Sequence, residues 1–263
     1  DILVYDKGLY SLKLIIDSLS KKHIEQSSSK VIDRLSIHNF IKAEVAKNGY
    51  KTASLIENKI IFSEFLKENH DKAYIFEKEV VKTIVPDYRK DDFKLTMNFC
   101  DSTNPMHAMW SKGQWLKVFL AHGCYWQKCK FCDINLDYIN DYQPCNVEIL
   151  FNKLLEIKNE TGLSGIHFID EALPINQLIT FAKLNIQHNR PFTFWGNIRF
   201  EKKLSSDLIT YLAHAGLTAV SAGIESPSKK SLELIDKGIT LDEVIRICYD
   251  FKINGTLVHT YLI

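Results

Sequence analysis

The chain has 263 residues, with 33 lysines and arginines against 32 aspartates and glutamates, so its formal net charge is only +1. This near-neutral balance argues against the basic surface typical of nucleic-acid-binding proteins. No window approaches the roughly 18 uninterrupted apolar residues of a membrane span. The length suits one large domain, or one domain with a smaller companion. We therefore expect a globular chain whose partners are neither nucleic acids nor membranes.

The six cysteines indicate a reducing compartment. Three of them fall within nine residues and the other three are scattered, which is not the arrangement of a disulfide framework. No charged segment followed by an apolar one marks a secretory signal. We therefore expect a cytoplasmic protein. The chain begins without a methionine and ends inside a predicted strand, which predicts a piece of a longer protein.

Residues 1–105 form the first predicted domain, a smaller mixed α/β segment without a motif that carries chemistry. A short strand at the start and a hairpin over 52–63, turning at Asn58-Lys59, are predicted. Pro86 marks a break in a charged, mostly helical stretch. Helical spacing is visible over 12–19, 31–47 and 64–95.

Residues 106–263 form the second predicted domain, in which strands and helices alternate regularly. The predicted strands are 115–121, 165–169, 192–195, 217–221 and 256–262. The predicted helices begin near 146, cover 174–187 and 206–215, end near 238, and run from the capping box at Thr240–Glu243 to Gly255. This alternation predicts a parallel β/α architecture, compatible with either an open sheet or a barrel.

Three cysteines follow the first predicted strand of this domain, where a parallel β/α fold builds its active site. Cys124, Cys129 and Cys132 offer three sulfur ligands on one short loop. A [4Fe–4S] cluster held by three cysteines keeps one iron open for a small molecule. The alternative is a tetrahedral zinc site completed by His122 or Cys145. Since the loop contains one C-x2-C knuckle rather than two, the spacing favours the open cluster.

The loop resembles the signature of the radical S-adenosylmethionine (SAM) enzymes, which is C-x3-C-x-aromatic-C. Phe131 supplies the aromatic residue before Cys132, but four residues rather than three separate Cys124 from Cys129. The run G-C-Y-W-Q-K-C-K-F-C is similar to the subgroup with an upstream cobalamin-binding domain. For residues 106–263 the resemblance implies a partial (β/α)6 TIM-like barrel, truncated after about five strands.

The same resemblance implies that residues at the following strand ends bind SAM. These are Asp170, Glu171, Asn197, Arg199, Glu225 and Lys237. The acidic pair after the second strand would bind the amino group of SAM. Asn197 and Arg199, after the third strand, would face its carboxylate or ribose. The alternative interpretations are an acidic pair that favours a helix N-terminus and an Arg199–Glu201 ion pair.

Two further positions resemble elements of the subgroup. Glu225 lies in a Gly-Ile-Glu-Ser sequence and would accept hydrogen bonds from the ribose hydroxyls of SAM. Lys237 follows twelve residues later in a Lys-Gly pair and would approach the SAM carboxylate. A cation near a helix C-terminus is the alternative interpretation of Lys237.

The resemblance implies a radical SAM enzyme with a [4Fe–4S] cluster and SAM as cofactors. The reaction would be reductive cleavage of SAM to methionine and a 5′-deoxyadenosyl radical, or cobalamin-dependent methyl transfer, on a substrate that the residues do not specify. An electron donor such as flavodoxin or ferredoxin would be a partner. Cobalamin enters by association, because residues 1–20 resemble the tail of a cobalamin-binding domain but lack its D-x-H-x-x-G signature.

Two hypotheses compete with the enzyme. One is a zinc- or Fe–S-stabilised binding domain without turnover. The orientation of Asp170 and Glu225 distinguishes it from a SAM enzyme, in which both side chains should point towards the cysteine loop. The other is that the chain, ending inside its fifth strand, is inactive alone. His122, beside the cysteines, is the best functional candidate among the histidines on or beside strands, and Trp195 is a candidate for a cavity wall.

Overall fold

The computed structural model describes residues 2–4, 52–56, 59–62, 67–89, 115–133 and 137–262. The chain divides into two compact units, Asp1–Val80 and Val81–Ile263. The predicted domain boundary at 105 and the predicted helices over 12–19 and 31–47 lie outside the described residues, as does Cys100.

The described strands of the first unit form an antiparallel sheet. β1 (Ile2–Val4), β2 (Thr52–Ile56) and β3 (Lys59–Phe62) pair in the order β1-β2-β3. The predicted hairpin is confirmed, but Lys59 pairs with Ile56 and belongs to β3, not to the turn predicted at Asn58-Lys59. Helix α1 (Lys67–Thr83) ends before Pro86, as the break in the pattern predicts.

The second unit alternates strands and helices. In chain order its elements are β4 (Trp115–Val118), β5 (Ala121–His122), α2 (Asp137–Asn140), β6 (Gln143–Pro144), α3 (Val147–Thr161), β7 (Gly165–Phe168), α4 (Ile175–Gln187), β8 (Thr193–Asn197), α5 (Ser206–His214), β9 (Leu217–Glu225), α6 (Lys229–Leu234), α7 (Leu241–Ile253) and β10 (Leu257–Leu262). Five described strands form a parallel sheet in the order β10-β9-β8-β7-β4. The α/β class and the parallel strands are thus confirmed.

The main core includes the alternate residues of the strands that face the helices. Leu116, Ile166 and Phe194 are each fully buried in one cluster with the apolar sides of α3, α4, α5 and α7. Phe181 of α4 packs against three other buried phenylalanines with ring centroids 5.0–5.4 Å apart. The other alternate residues of the strands are left for polar and aromatic side chains. This arrangement leaves the carboxyl ends of the strands free to carry a site.

Local sequence signals account for the helix ends. Asn146 and Ser205 accept hydrogen bonds from the first turns of α3 and α5. Thr240 and Glu243 form the predicted capping box at the start of α7. Gly162 ends α3 in the left-handed conformation, at φ +79°.

Two predicted strands differ from the structure by three or more residues at one end. β9 continues to Glu225, four residues beyond its predicted end at Ser221. β4 ends at Val118 instead of Ala121, and β5 begins separately. The interruption has a physical cause, because the backbone N–H groups of Leu120 and Ala121 donate to a side chain and not to a neighbouring strand. Within the described part of the chain, no helix is both long and apolar enough to span a membrane.

Candidate active site

The cysteine loop, residues 123–132, leaves β5 and is held to the protein by backbone hydrogen bonds. The Cys124 N–H donates to the carbonyl of Ile139 at 2.9 Å, and the Lys130 N–H donates to the carbonyl of Ile235 at 3.0 Å. Between Cys129 and Cys132 the chain turns tightly, with a Cys132 N–H to Cys129 O distance of 3.1 Å. The loop is therefore anchored near both ends, on two different segments.

Two left-handed residues shape the first half of the loop. At Gly123, with φ +75°, an added Cβ would lie 2.4 Å from the carbonyl oxygen of Asp141, so only glycine fits. Gln127 has φ +51°, and its side-chain amide donates to the carbonyl of Asn140. Gln127 lies within the four-residue segment between Cys124 and Cys129, which is one residue longer than in the radical SAM signature. A left-handed turn thus occurs where the sequence departs from that signature.

The three thiols of the loop are free and partly buried. Burial raises the pKa of Cys129, and the nearby Lys237 and Arg199 cations oppose this effect. Burial also raises the pKa of Cys132, to which the neighbouring Cys124 and Glu171 add. In the described ranges, no group of three His, Cys, Asp or Glu side chains is arranged to hold a metal ion. The donor chemistry itself, three thiols on one loop with two cations beside them, fits a sulfur-ligated cluster.

Asp170 points towards the strand that leads into the cysteine loop. Its side chain is buried, with the residue 2% exposed, and accepts hydrogen bonds from the N–H groups of Leu120 at 3.0 Å and Ala121 at 2.7 Å. Burial raises its pKa to about 7, although these backbone hydrogen bonds act in the opposite direction. Asp170 therefore fixes the backbone just before the loop. Exposed Glu171 acts electrostatically on Cys132, and the Asn197 amide donates to the carbonyl of Asp170 at 3.3 Å.

The raised pKa of Asp170 predicts a pH-dependent stability. Between about pH 4 and pH 7 the folded chain retains a proton on Asp170 that the unfolded chain has lost, so this residue's contribution to the free energy of unfolding falls as pH rises and is constant above about pH 7. Asp170→Asn removes that contribution. We expect the stability difference between wild type and this variant to change by about 1 kcal/mol per pH unit in this window, measured by urea denaturation. Exposed Glu160→Gln, on α3, is the control, and a pH-independent difference for Asp170→Asn would contradict the prediction.

Glu225 and Lys237 form a buried ion pair beside the loop. The Lys237 Nζ lies 2.6 Å from Glu225 Oε1, and each side chain is 10% exposed. Glu225 has φ +68°, and a Cβ on Gly223 would lie 2.0 Å from its carboxylate oxygen. Lys237 Nζ also lies 5.5 Å from the ring centroid of Phe131, in the cysteine loop. The pair thus brings the end of β9 and the segment after α6 to the cysteines.

Arg199, after β8, makes three contacts at once. Its Nη1 donates to Glu201 Oε2 at 3.0 Å, its Nη2 donates to the carbonyl of Lys237, and its guanidinium lies 3.5 Å from the ring centroid of Trp126. The same Glu201 oxygen accepts from the Tyr125 hydroxyl at 3.1 Å. Burial raises the pKa of Tyr125, and the Glu201 carboxylate adds to this. The sequence analysis assigns no separate role to Tyr125 or Trp126. The signal that could have found them is the pair of adjacent aromatic residues between two cysteines of the candidate metal-binding loop.

The other candidate residues make contacts of their own, outside the groups around Asp170 and Arg199. His167 stacks on Trp195 with centroids 3.7 Å apart, and burial lowers its pKa. His259 Nδ1 lies 3.2 Å from the Ser221 hydroxyl. His122 packs edge-on against a phenylalanine. Burial raises the pKa of Cys145 to about 12, so its thiol stays protonated and behaves as a small core residue.

The structure therefore brings five of the six predicted residues into two groups, and Glu171 belongs to neither. Asp170 and Asn197 are linked to each other and to the backbone that enters the loop. Arg199, Glu225 and Lys237 are linked to each other, and both cations act electrostatically on Cys129. Asp170 binds the backbone that enters the cysteine loop, and Glu225 pairs with Lys237, which lies beside Phe131 of that loop. Their role as SAM ligands stays a prediction.

Comparisons with known proteins give one sequence relative and several structural neighbours. No family model matches the chain. Over 129 residues it is 26% identical to the uncharacterized methyltransferase PH0819 of Pyrococcus horikoshii. The aligned region covers 49% of this chain and 28% of that protein.

Solved structures of a cobalamin-dependent SAM radical enzyme, OxsB, match over the whole chain. The TM-score is 0.61 for OxsB with aqua-cobalamin, 0.60 with aqua-cobalamin and SAM, and 0.55 for the apo protein. Each is 16% identical, and this chain covers 33% of OxsB. The chain thus spans about a third of the length of the proteins it matches. The resemblance seen in the sequence is confirmed, and the chain has the fold of part of a cobalamin-dependent radical SAM enzyme.

Proposed function

We propose that the chain is the SAM-cleaving core of a radical SAM enzyme, built on a partial (β/α)6 barrel over residues 106–263. The observation that carries the proposal is the convergence of Glu225, Lys237 and Arg199 on one cysteine loop at the carboxyl ends of parallel strands. Residues from separate strands meet there because such strands end at the same edge of the sheet. The likeness of the fold to a cobalamin-dependent radical SAM enzyme supports the same function.

The cysteine loop would hold the metal cofactor. Cys124, Cys129 and Cys132 would ligate three irons of a [4Fe–4S] cluster and leave the fourth open. When bound, the cluster supplies the electron that cleaves SAM to methionine and a 5′-deoxyadenosyl radical. Metal binding displaces thiol protons, and Lys237 and Arg199 favour the thiolate form of Cys129 because their positive charges lie near it. The protein would thereby stabilise the negative charge that accumulates on the loop.

The remaining polar residues would bind and orient SAM. Glu225 would accept hydrogen bonds from the ribose hydroxyls, and Lys237 would attract the carboxylate of the methionine part. Glu171 and Asn197 would face the amino group and the ribose. Asp170 would act one step away, by fixing the backbone that enters the cysteine loop. The low exposure of Glu225 and Lys237 limits water at this point, which strengthens their interactions with a charged ligand.

Methyl transfer with cobalamin is the second candidate function. It is favoured by the methyltransferase relative and by the cobalamin-bound state of the structural neighbours. The cobalamin-binding domain would then lie in a part of the protein that these residues do not contain. An external electron donor such as flavodoxin or ferredoxin would serve both functions.

Product analysis tests the proposal. The chain, reconstituted anaerobically with iron and sulfide and then reduced with dithionite, should convert SAM to 5′-deoxyadenosine and methionine in equal amounts. The same chain carried through without iron is the control. Full iron loading, about four per chain, without either product would contradict the enzyme and favour a cluster-stabilised binding domain. Tight zinc retention in place of iron would favour the zinc alternative.

A further inference from the structure

Tyr125 and Trp126, in the cysteine loop, are held by side chains from outside the loop. The Tyr125 hydroxyl donates to Glu201, and the indole of Trp126 is covered by the Arg199 guanidinium. The Trp126 Nε1 also donates to the carbonyl of Asp236 at 3.4 Å. Two adjacent loop residues are therefore fixed by the segment after β8 and by the segment after α6.

The close fit around Trp126 requires a glycine. Gly238 has φ +67°, and an added Cβ would lie 2.5 Å from the Trp126 ring and 3.0 Å from Arg199 Nη2. Gly238 thus lies against both the Trp126 ring and the guanidinium of Arg199. A cation stacked on an aromatic ring in a buried position contributes more than one at an exposed position.

Arg199 uses both of its Nη atoms within the protein. Its side chain is 6% exposed and that of Glu201 is 11% exposed. One Nη atom is engaged with Glu201 and the other with the Lys237 carbonyl, while the face of the guanidinium covers Trp126. Among the described residues, the buried Nε of Arg199 and Oε1 of Glu201 have no hydrogen-bond partner. A grip on the carboxylate of SAM through both Nη atoms would have to break these contacts. These contacts fit a residue that positions other groups better than one that binds the cofactor directly.

We propose that Arg199 and Glu201, through Tyr125 and Trp126, form a clamp that positions Cys129 for metal binding. The role towards the metal rests on the proposed function, but the positioning of the loop does not. Arginine suits the task because its planar fork reaches Glu201 and the Lys237 carbonyl simultaneously while its face stacks on the indole. In this assignment Arg199 is a positioning residue, in place of the SAM contact expected from the sequence.

Hydrogen exchange on the metal-free chain tests the clamp. Arg199→Lys keeps the charge but loses the fork, and Glu201→Gln keeps the shape but loses the charge. The Lys130 amide donates to Ile235 outside the loop, and the Cys132 amide donates to Cys129 within it. We expect both amides to exchange at least tenfold faster in both variants. The amide of Cys124, which is held separately by Ile139, should change much less and serves as an internal reference.

A matched control lies outside the site. Arg246 pairs with Asp250 at 2.9 Å and donates to the carbonyl of Leu204, so Arg246→Met removes a comparable arginine without touching the loop. This variant should lower stability while leaving exchange of the loop amides at the wild-type rate. After anaerobic reconstitution, a chelator should remove iron at least threefold faster from the two clamp variants than from wild type or the control.

The opposite result is equally clear. If loop exchange and iron retention in Arg199→Lys match wild type while affinity for SAM falls tenfold or more, Arg199 is a SAM ligand and the clamp is wrong. If all three measurements match wild type, the clamp is also wrong. If the wild-type chain takes up no iron, the proposed function fails, but the exchange rates of the metal-free variants still decide whether the clamp exists.

Discussion

Replacing Cys129 by alanine should abolish retention of the cluster. After anaerobic reconstitution and desalting, we expect wild type to keep about four irons per chain and Cys129→Ala to keep fewer than about one. Cys129 is the middle one of the three proposed ligands, and the Lys237 and Arg199 cations act on it. Removing it leaves two thiols, which do not suffice for a cubane cluster with one open iron. Iron and sulfide assays with the visible absorption spectrum measure the effect.

Cys248→Ala provides the matched control for this experiment. Cys248 is also a free, partly buried cysteine, but it lies on α7, packed against the main core. Its replacement should leave iron content at the wild-type level. Equal iron content in Cys129→Ala and wild type would show that the metal is bound elsewhere, and the assignment of Cys129 as a ligand would be wrong.

Replacing Lys237 by methionine should destabilise the metal-free chain by about 3–5 kcal/mol. The change leaves the Glu225 carboxylate buried without its cation, whereas their present separation is 2.6 Å. Removing both charges, in the double variant Glu225→Gln with Lys237→Met, should restore at least half of the loss, because no uncompensated charge stays buried. Urea denaturation at pH 7.5 gives the free energy of unfolding of each variant.

The exposed pair Lys153–Glu156 is the control for this cycle. Its separation is 3.0 Å, but its side chains are 39% and 69% exposed, so Lys153→Met should lower the free energy of unfolding far less than Lys237→Met. Similar losses for Lys153→Met and Lys237→Met would contradict the claim that burial makes the Glu225–Lys237 pair costly to break. A double variant no more stable than Lys237→Met would contradict it as well.

The fold could be predicted from the sequence wherever local chemistry determines the structure. The alternation of apolar strands with helical spacing predicts the parallel sheet, and the Asn146, Ser205 and Thr240 caps predict where three helices begin. These signals act over a few residues, so they can be recognised without knowledge of tertiary contacts. The hairpin in the first unit can be recognised for the same reason.

The errors arise where distant residues meet. The strand predicted over 115–121 is interrupted because Asp170, about fifty positions later, accepts the N–H groups of Leu120 and Ala121. No local pattern around Leu120 and Ala121 predicts these hydrogen bonds to a distant side chain. The sequence also does not predict that β9 extends to Glu225. Glu225 has a left-handed conformation and is held by an ion pair with Lys237, which lies twelve positions later.

The sequence indicates which residues are candidates for the site better than it indicates which of them contact one another. Cysteine spacing and the Gly-Ile-Glu-Ser sequence drew attention to the loop and to Glu225, because residue types with special chemistry are visible in a sequence. The Arg199–Glu201 ion pair, one of the alternatives that the sequence offers, is present. The contacts of Arg199 with Trp126 and of Glu201 with Tyr125 could not be predicted, since these residues are far apart in the sequence, 76 positions for Tyr125 and Glu201, and meet only in the folded chain. Their contact changes the role that Arg199 is expected to have.

The central claim is that Cys124, Cys129 and Cys132 hold a [4Fe–4S] cluster whose open iron binds SAM. The most direct measurement is the electron paramagnetic resonance spectrum of the reconstituted, dithionite-reduced chain, recorded before and after addition of SAM. We predict a signal of a reduced [4Fe–4S] cluster whose line shape changes when SAM is added, because the open iron gains new ligands. A cluster signal that SAM leaves unchanged, or a chain that carries zinc and gives no signal, would contradict the claim.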